Sequence, residues 1–165
     1  MFMKKMLSIT LVAFLILTLS GCGKEVAESN QESKKEDVIS TKTCTMESDA
    51  YDITFKFNAV NDKVDKVELI MAYDNKTFGV ETLADLTKDQ KDAIKTSVLT
   101  ALGLDKEQDG LEAQVEIKDT MTVTVNADLY KADETAAKKA GIDVEAGSSL
   151  KQLVKELEAE DLTCN

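Results

Sequence analysis

The chain has 165 residues, and its 20 basic residues face 31 aspartates and glutamates, which gives a formal net charge of −11 at pH 7. Histidine is absent, so Ser-His-Asp triads, Cys-His pairs and imidazole zinc sites are excluded. The acidic balance and the lack of a basic patch with aromatic residues argue against nucleic-acid binding, while a hydrophobic content of 43% indicates a folded chain.

The N-terminal residues have the pattern of an export signal. Lys4 and Lys5 precede an apolar run over residues 7–19, which is shorter than the roughly 20 residues that a membrane-spanning helix needs and matches the apolar region of a secretory signal. The run ends in Leu19-Ser20-Gly21-Cys22, which resembles the bacterial lipobox. The resemblance implies diacylglyceryl transfer to the thiol of Cys22 and cleavage before it. The alternative is a plain secretory signal in which Cys22 is incidental.

Removal of the signal peptide, residues 1–21, leaves one domain and a tether. The signal carries two lysines and no acid, so the mature chain has 18 lysines, 31 acids and a net charge of −13. Residues 24–40 contain no aromatic side chain and few apolar ones, so residues 22–40 are predicted to be a lipid anchor and a flexible tether. Residues 41–165 are predicted to form a single domain.

Two cysteines remain once Cys22 is assigned to the lipid. Cys44 and Cys164 lie near opposite ends of an exported domain, where disulfides persist. A bridge between them would close a loop of about 120 residues and stabilise the fold by roughly 4–5 kcal/mol in the chain-entropy model. Two free buried thiols and an intermolecular link are the alternatives to this predicted disulfide.

The first half of the domain is predicted to begin with strands. A threonine-rich stretch around Cys44 and Met46 indicates a first strand. Residues 51–57 alternate between apolar and polar, the turn-forming residues 61–63 follow, and residues 67–73 alternate again. Residues 51–74 are therefore predicted to form a β-hairpin.

A helix and a second hairpin follow. Thr87 and Gln90 have the spacing of a capping box, and Gly103 ends the predicted helix. Residues 113–117 and 121–129 alternate on either side of a turn near 119, as in a second hairpin.

The C-terminal part is predicted to be helical. Asp133 caps a short helix that ends at Gly141, and Ser149 with Gln152 matches a second capping box. The last helix is amphipathic and would return Cys164 to the first strand. The pattern as a whole predicts an α+β fold: an antiparallel sheet of about five strands, made of two hairpins and an N-terminal strand, with helices packed on one face.

Several segments together are similar to a known family. The lipobox, the acidic tether, and the segments DITFKF, DKVDKVE, MTVTVNADLYKAD and SLKQLVKELEAEDLT resemble the YehR-like family of small bacterial lipoproteins. The family has no established activity, so the resemblance implies a fold and a location, and it supplies no catalytic residues.

Residues 105–116 are a candidate calcium loop. Asp105, Glu107, Asp109 and Glu116 occupy positions 1, 3, 5 and 12 of an EF-hand pattern, with Gly110 at position 6. Glutamate at position 3, a second glutamate at position 8 and an exit that alternates like a strand all argue against such a site. We therefore interpret the segment as a solvated acidic turn and expect no metal and no cofactor. An extracytoplasmic cation-binding module is the alternative.

Catalytic motifs are weak. Ser148-Ser149-Leu150-Lys151 fits the SxxK pattern of penicillin-recognising enzymes, but its KTG companion is missing and the serines serve as helix caps. Paired carboxylates for glycoside hydrolysis are a weaker third hypothesis, because 31 acids allow no particular pair to be singled out. The sequence thus predicts a non-enzymatic lipoprotein, held by Cys22 on the extracytoplasmic face of the bacterial membrane, with a binding or scaffolding domain whose ligand or protein partner the sequence does not name.

Overall fold

The structure is a computed structural model that describes residues 36–48 and 51–165. The predicted signal peptide, Cys22 and the tether up to residue 35 lie outside the described residues. Within the described part of the chain, no helix has the length and apolar character needed to cross a membrane. The first strand starts at Ile39, two residues before the expected start of the domain at Thr41.

Among the described residues, six antiparallel strands form one open sheet, and three helices accompany it. The strands are β1 (Ile39–Glu47), β2 (Tyr51–Val60), β3 (Lys63–Tyr73), β4 (Leu111–Ile117), β5 (Met121–Asp128) and β6 (Thr163–Cys164), in the spatial order β4-β5-β3-β2-β1-β6. The helices are α1 (Lys88–Leu102), α2 (Glu134–Lys139) and α3 (Leu150–Ala159), and a 3₁₀ turn spans Asn75–Phe78. The predicted α+β class is confirmed. The sixth strand is β6, which is too short to show an alternating pattern.

Both predicted hairpins are present. Asn61 and Asp62 join β2 to β3 with φ angles of 54° and 67°, as in the two-residue turns that match the twist of a hairpin. β4 and β5 pair directly from Leu111↔Ala127 to Ile117↔Met121. Alternation along the strands places one set of side chains in the core and the other set on the opposite face, because successive residues of a strand point to opposite faces.

The helix caps follow the sequence closely, with one exception. The hydroxyl of Thr87 accepts from the backbone of Gln90 and the Gln90 side chain accepts from the backbone of Thr87, so the first capping box is complete. At α3, Ser149 accepts from the backbone of Gln152, but the Gln152 side chain donates to Glu156. The second capping box is therefore only half formed, because the Gln152 side chain is directed toward Glu156, one turn further along the helix.

The core lies between one face of the sheet and the helices. α1 lies over β4, and α3 lies over β1 and β6. Buried residues of the sheet and of the connecting segments fill the space between them, among them Phe57, Val67, Leu69, Leu83, Val123, Val125, Ile142 and Leu150. The apolar residues of α1 and α3 pack against the same cluster, so the helices cover one face of the sheet, as predicted.

The two domain cysteines are neighbours across the sheet edge. Cys44 on β1 is in register with Cys164 on β6, and their sulfur atoms are 2.03 Å apart. The flanking pair Thr43 and Asn165 exchanges backbone hydrogen bonds of 3.1 and 2.9 Å. The cysteines therefore occupy a non-hydrogen-bonded position, where facing side chains come closest. The C-terminal helix returns Cys164 to β1 as the sequence predicted, and the pair lies within one chain at the distance of a disulfide.

Candidate binding surface

The face of the sheet opposite the helices is polar. Its side chains come from the residues that alternate with the core positions, and charged, amide and hydroxyl groups predominate: Thr41, Thr43, Thr45, Thr54, Lys56, Asn58, Lys66, Glu68, Glu112, Gln114, Glu116, Thr122, Thr124 and Asn126. Ile70 and Ala72 are half-buried aliphatic residues near its centre. We call this surface the open face.

An open hollow of about 810 Å³ lies at one corner of the open face. The strands β2 to β5 form its floor, and the loop between α1 and β4 forms one wall. Its ionisable lining consists of Lys66, Glu68, Glu107, Asp109, Glu112, Asp128 and Lys131. Five carboxylates against two lysines give the lining a net charge of −3. Asn58, Gln108 and Asn126 add amide groups, so the hollow offers both donors and acceptors.

Asp128 is a carboxylate of the hollow that is paired with a lysine. Lys131 Nζ lies 3.0 Å from its Oδ2. The hydrogen bond from Lys131 holds the pKa of Asp128 below its ordinary value against the opposing effect of burial, and the charge of Lys66 acts in the same direction. The same bond raises the pKa of Lys131, with a further contribution from the charge of Asp109. Asp128 is therefore ionised at neutral pH.

The remaining carboxylates of the hollow divide into paired and unpaired groups. Glu68 Oε2 lies 3.0 Å from Lys56 Nζ, across the β2–β3 ladder. Glu107, Asp109 and Glu112 make no ion pair within 4.0 Å with another described residue. Three carboxylates at the rim are thus open to a positively charged group on a ligand.

The carboxylates of the candidate calcium segment do not surround a common ion position. β4 begins at Leu111, so Glu112 and Glu116 lie on one strand and on one face. Four residues of strand separate them by about 13 Å. Glu116 pairs with Lys118 at 3.1 Å. Among the described residues, no three histidine, cysteine, aspartate or glutamate side chains are grouped so that they could hold a metal ion.

Gly110 has a packing role in this segment. Its φ is +70°, and a β-carbon there would lie 2.5 Å from the backbone nitrogen of Ala132 and 2.8 Å from Cβ of Lys131. The carbonyl of Gly110 accepts from the backbone N–H of Asp128 at 2.8 Å. The glycine thus lets the loop before β4 pack against the turn after β5, which closes one side of the hollow.

The SxxK segment connects the start of α3 to the turn between β2 and β3. Ser149 donates to Asp62 Oδ2 at 2.7 Å while capping α3, and the backbone N–H of Lys151 donates to Asp62 Oδ1 at 3.1 Å. The hydrogen bond from Ser149 lowers the pKa of Asp62, and burial opposes this effect. The sequence-based interpretation of Ser149 as a helix cap is confirmed.

The sequence did not single out Lys66, Glu112 or Asn126, which the structure brings together at the hollow. The hollow exists because the loop at Gly110 meets the turn at Lys131, and these segments belong to different connections. Gly110 was the only indication of this contact in the sequence, and it had been interpreted as position 6 of an EF-hand loop.

No protein-family model matches the chain, and no curated protein matches it. Among solved structures, the NMR structure of the Escherichia coli YehR protein is similar, with a TM-score of 0.59 and 20% identity, covering 78% of this chain and 92% of that one. The domain shares the YehR fold. The NMR structure of a protein from Streptococcus pneumoniae TIGR4 has a TM-score of 0.52 and 10% identity, covering 91% of this chain and 99% of that one. At these identities the likeness concerns the fold alone.

Proposed function

We propose that this protein is a lipoprotein related to the YehR-like family, anchored through Cys22 on the extracytoplasmic face of the membrane, and that its domain binds a polar partner on the open face. The observation that carries the binding role is the asymmetry of the sheet. Helices cover one face, whereas the other leaves a polar surface with a hollow of about 810 Å³. The lipobox-like Leu19-Ser20-Gly21-Cys22 supports the anchor.

The chemistry of the hollow favours binding over catalysis. A general acid needs a pKa raised toward neutrality, whereas Lys131 lowers the pKa of Asp128. Lys56 pairs with Glu68, and the chain has no histidine that could serve as a base. Fixed ion pairs and amide groups bind a ligand through hydrogen bonds without moving protons.

The charge distribution favours a ligand that carries a cationic group. The carboxylates of Glu107, Asp109 and Glu112 make no ion pair with another described residue, and the exposed Lys66 and Lys131 line the same hollow. A ligand with an amine near the three carboxylates and an acceptor near the lysines would satisfy both sets of charges, because opposite charges attract.

Two measurements test the proposal. Lipidation is tested by growth with a labelled fatty acid. Incorporation into the wild type and its loss in Cys22→Ala would support the anchor, and equal labelling of both proteins would disprove it.

The binding surface is tested by photo-crosslinking in native membranes. A photoreactive amino acid replaces Asn126, which is exposed beside the hollow, or Ser97, which is exposed on α1 on the other side of the domain. We expect a crosslinked product from position 126 that is absent from position 97 and is reduced by Glu112→Gln. Identical products from both positions would contradict a binding role for the open face.

A further inference from the structure

The exposed apolar residues of the domain are concentrated at one end of the sheet. Among the described residues, the large hydrophobic side chains with high exposure are Val38 (62%), Ile39 (75%), Tyr130 (65%) and Tyr51 (38%). The first three lie at the end that contains the turn between β2 and β3. Tyr51 lies at the opposite end of β2, about 30 Å away along the strand.

Backbone pairing and one shared hollow bring Val38, Ile39 and Tyr130 to the same end of the sheet. The backbone N–H of Asn61 donates to the Val38 carbonyl at 2.9 Å, and the N–H of Val38 donates to Asn61 Oδ1 at 3.0 Å. Ile39 is in register with Val60. Val60, Asn61 and Tyr130 line one hollow of about 360 Å³. We call Val38, Ile39, Val60 and Tyr130 the turn-end patch.

The chain enters the domain at this same end. The described residues start at Glu36, two residues before Val38. Thirteen residues separate Cys22 from Glu36, and if they form the tether predicted from the sequence, its r.m.s. reach is about 20 Å. If Cys22 carries the lipid, as proposed above, the turn-end patch is confined close to the bilayer surface, and the Tyr51 end is the more distant one.

We propose that the turn-end patch docks into the headgroup region of the membrane that anchors the chain. Valine and isoleucine side chains partition into the boundary between headgroups and acyl chains, and tyrosine is enriched there because its ring is apolar and its hydroxyl is polar. Lys63 lines the hollow beside Tyr130, and its long apolar stem allows the ammonium group to reach the headgroups.

Charge determines which lipids the patch suits. Lys63 is accompanied by Asp65 in the hollow and follows Asp62, so the docking end has no basic excess. Docking therefore depends on apolar contact and occurs on neutral phosphatidylcholine as well as on anionic lipids. A second copy of the chain is the competing occupant, but a net charge of −13 on each mature chain opposes its close approach.

Docking would set the position of the larger hollow. Asn58, which lines that hollow, is two residues from Val60 on β2. Two residues of strand span about 7 Å, so the polar hollow of the open face would open just above the headgroups. A partner would then be bound close to the membrane surface.

A fluorescence experiment tests the docking. The mature protein, Cys22–Asn165, is coupled through the thiol of Cys22 to a maleimide lipid in phosphatidylcholine vesicles, with Cys44 and Cys164 oxidised, so that attachment does not depend on lipidation in cells. The chain contains no tryptophan, so Tyr130→Trp and Tyr51→Trp each give a single reporter. With brominated lipids, we expect about a twofold loss of emission for Tyr130→Trp and no loss for Tyr51→Trp, because bromine quenches only at contact depth.

Matched charge substitutions complete the test. In the Tyr130→Trp protein, Ile39→Glu should abolish the quenching, whereas Thr45→Glu, on the same strand and face but away from the patch, should leave it unchanged. Equal quenching of the two tryptophan reporters, or none, would overturn the docking. So would an emission change that requires a high density of protein on unbrominated vesicles, because it would indicate a second copy on the patch. Failure of fatty-acid labelling in cells would instead refute the anchor, and the two failures are therefore distinguishable.

Discussion

The strand β5 has two unlike faces. Val123, Val125 and Ala127 are buried beneath the helices, whereas Thr122, Thr124 and Asn126 belong to the open face. Both sets share one backbone and one ladder of hydrogen bonds. Burial of apolar surface is the main source of stability, so the covered face determines whether the domain folds, and the open face is free to be shaped for binding. Substitutions on the two faces should therefore have different effects.

The largest expected effect concerns the edge where β6 joins the sheet. Replacement of Cys44 and Cys164 by alanine should lower the free energy of unfolding by roughly 4–5 kcal/mol, because the bridge constrains the unfolded chain over a loop of 120 residues. Urea denaturation of the oxidised protein and the double variant measures this difference. Two titratable thiols in the denatured, unreduced protein after removal of Cys22 would contradict the bridge.

The covered face is tested directly by Phe57, which is 1% exposed. Phe57→Ala should destabilise the domain by roughly 3–5 kcal/mol through lost burial and a cavity. The adjacent Asn58 lies on the open face, and Asn58→Ala should change stability by no more than about 0.5 kcal/mol. Similar denaturation midpoints for the two variants would contradict the larger contribution of the covered face to stability.

The wall of the hollow depends on Gly110. Gly110→Ala should cost roughly 2–4 kcal/mol, because a positive φ and contact with the backbone of Ala132 both oppose the methyl group. Gly79 has a similar φ of +64° and open space around it, so Gly79→Ala should cost only about 1 kcal/mol. Thermal unfolding compares the two variants. An equal loss of stability would mean that the positive φ angle accounts for the whole effect and that contact with Ala132 adds nothing.

The ion pair on the open face should have a small, pH-dependent effect. The pKa of Asp128 is below its ordinary 3.8, so its contribution is present above that pH and is lost as the pH falls through the lowered pKa. The pKa of Lys131 is above its ordinary 10.5, so its contribution is present below that pH and is lost as the pH rises through the raised pKa. Both contributions are present at neutral pH.

A carboxyl titration by NMR checks this pair. We expect Lys131→Gln to bring the pKa of Asp128 back toward 3.8 and to lower stability slightly at neutral pH. The stability difference between wild type and variant should disappear in acid. An unchanged Asp128 titration would mean that Lys131 does not hold this carboxylate in solution.

Calcium should have no appreciable effect. The acids of residues 105–116 are divided between a loop and a strand, and the weak attraction of exposed charges is screened by salt. The melting temperature should therefore be the same in millimolar calcium and in chelator at physiological ionic strength. A shift of several degrees that is lost in Asp105→Ala would favour the cation-binding module.

Local patterns were sufficient to predict most of the fold. Alternation identified β2, β3, β4 and β5, and the pairs Thr87 with Gln90 and Asp133 with Ala136 mark helix starts that the structure retains. These features depend on interactions between residues a few positions apart, which are visible in the sequence. The sequence predicted a complete capping box at Ser149. The Gln152 side chain instead bonds to Glu156, a partner that the sequence pattern does not distinguish from the backbone of Ser149.

The sequence by itself determined the α+β class and the alternation of covered and open positions along β2 to β5, and it predicted a Cys44–Cys164 bridge with free thiols or an intermolecular link as alternatives. The strand order β4-β5-β3-β2-β1-β6, the two-residue β6 and both hollows were decided only by the tertiary structure. Strand parity is set by backbone geometry at each residue. Gly110 packs against Ala132, and Val60 and Tyr130 line one hollow, so both pairs bring together segments far apart in sequence. Such contacts form because the complete core fixes where the loops meet.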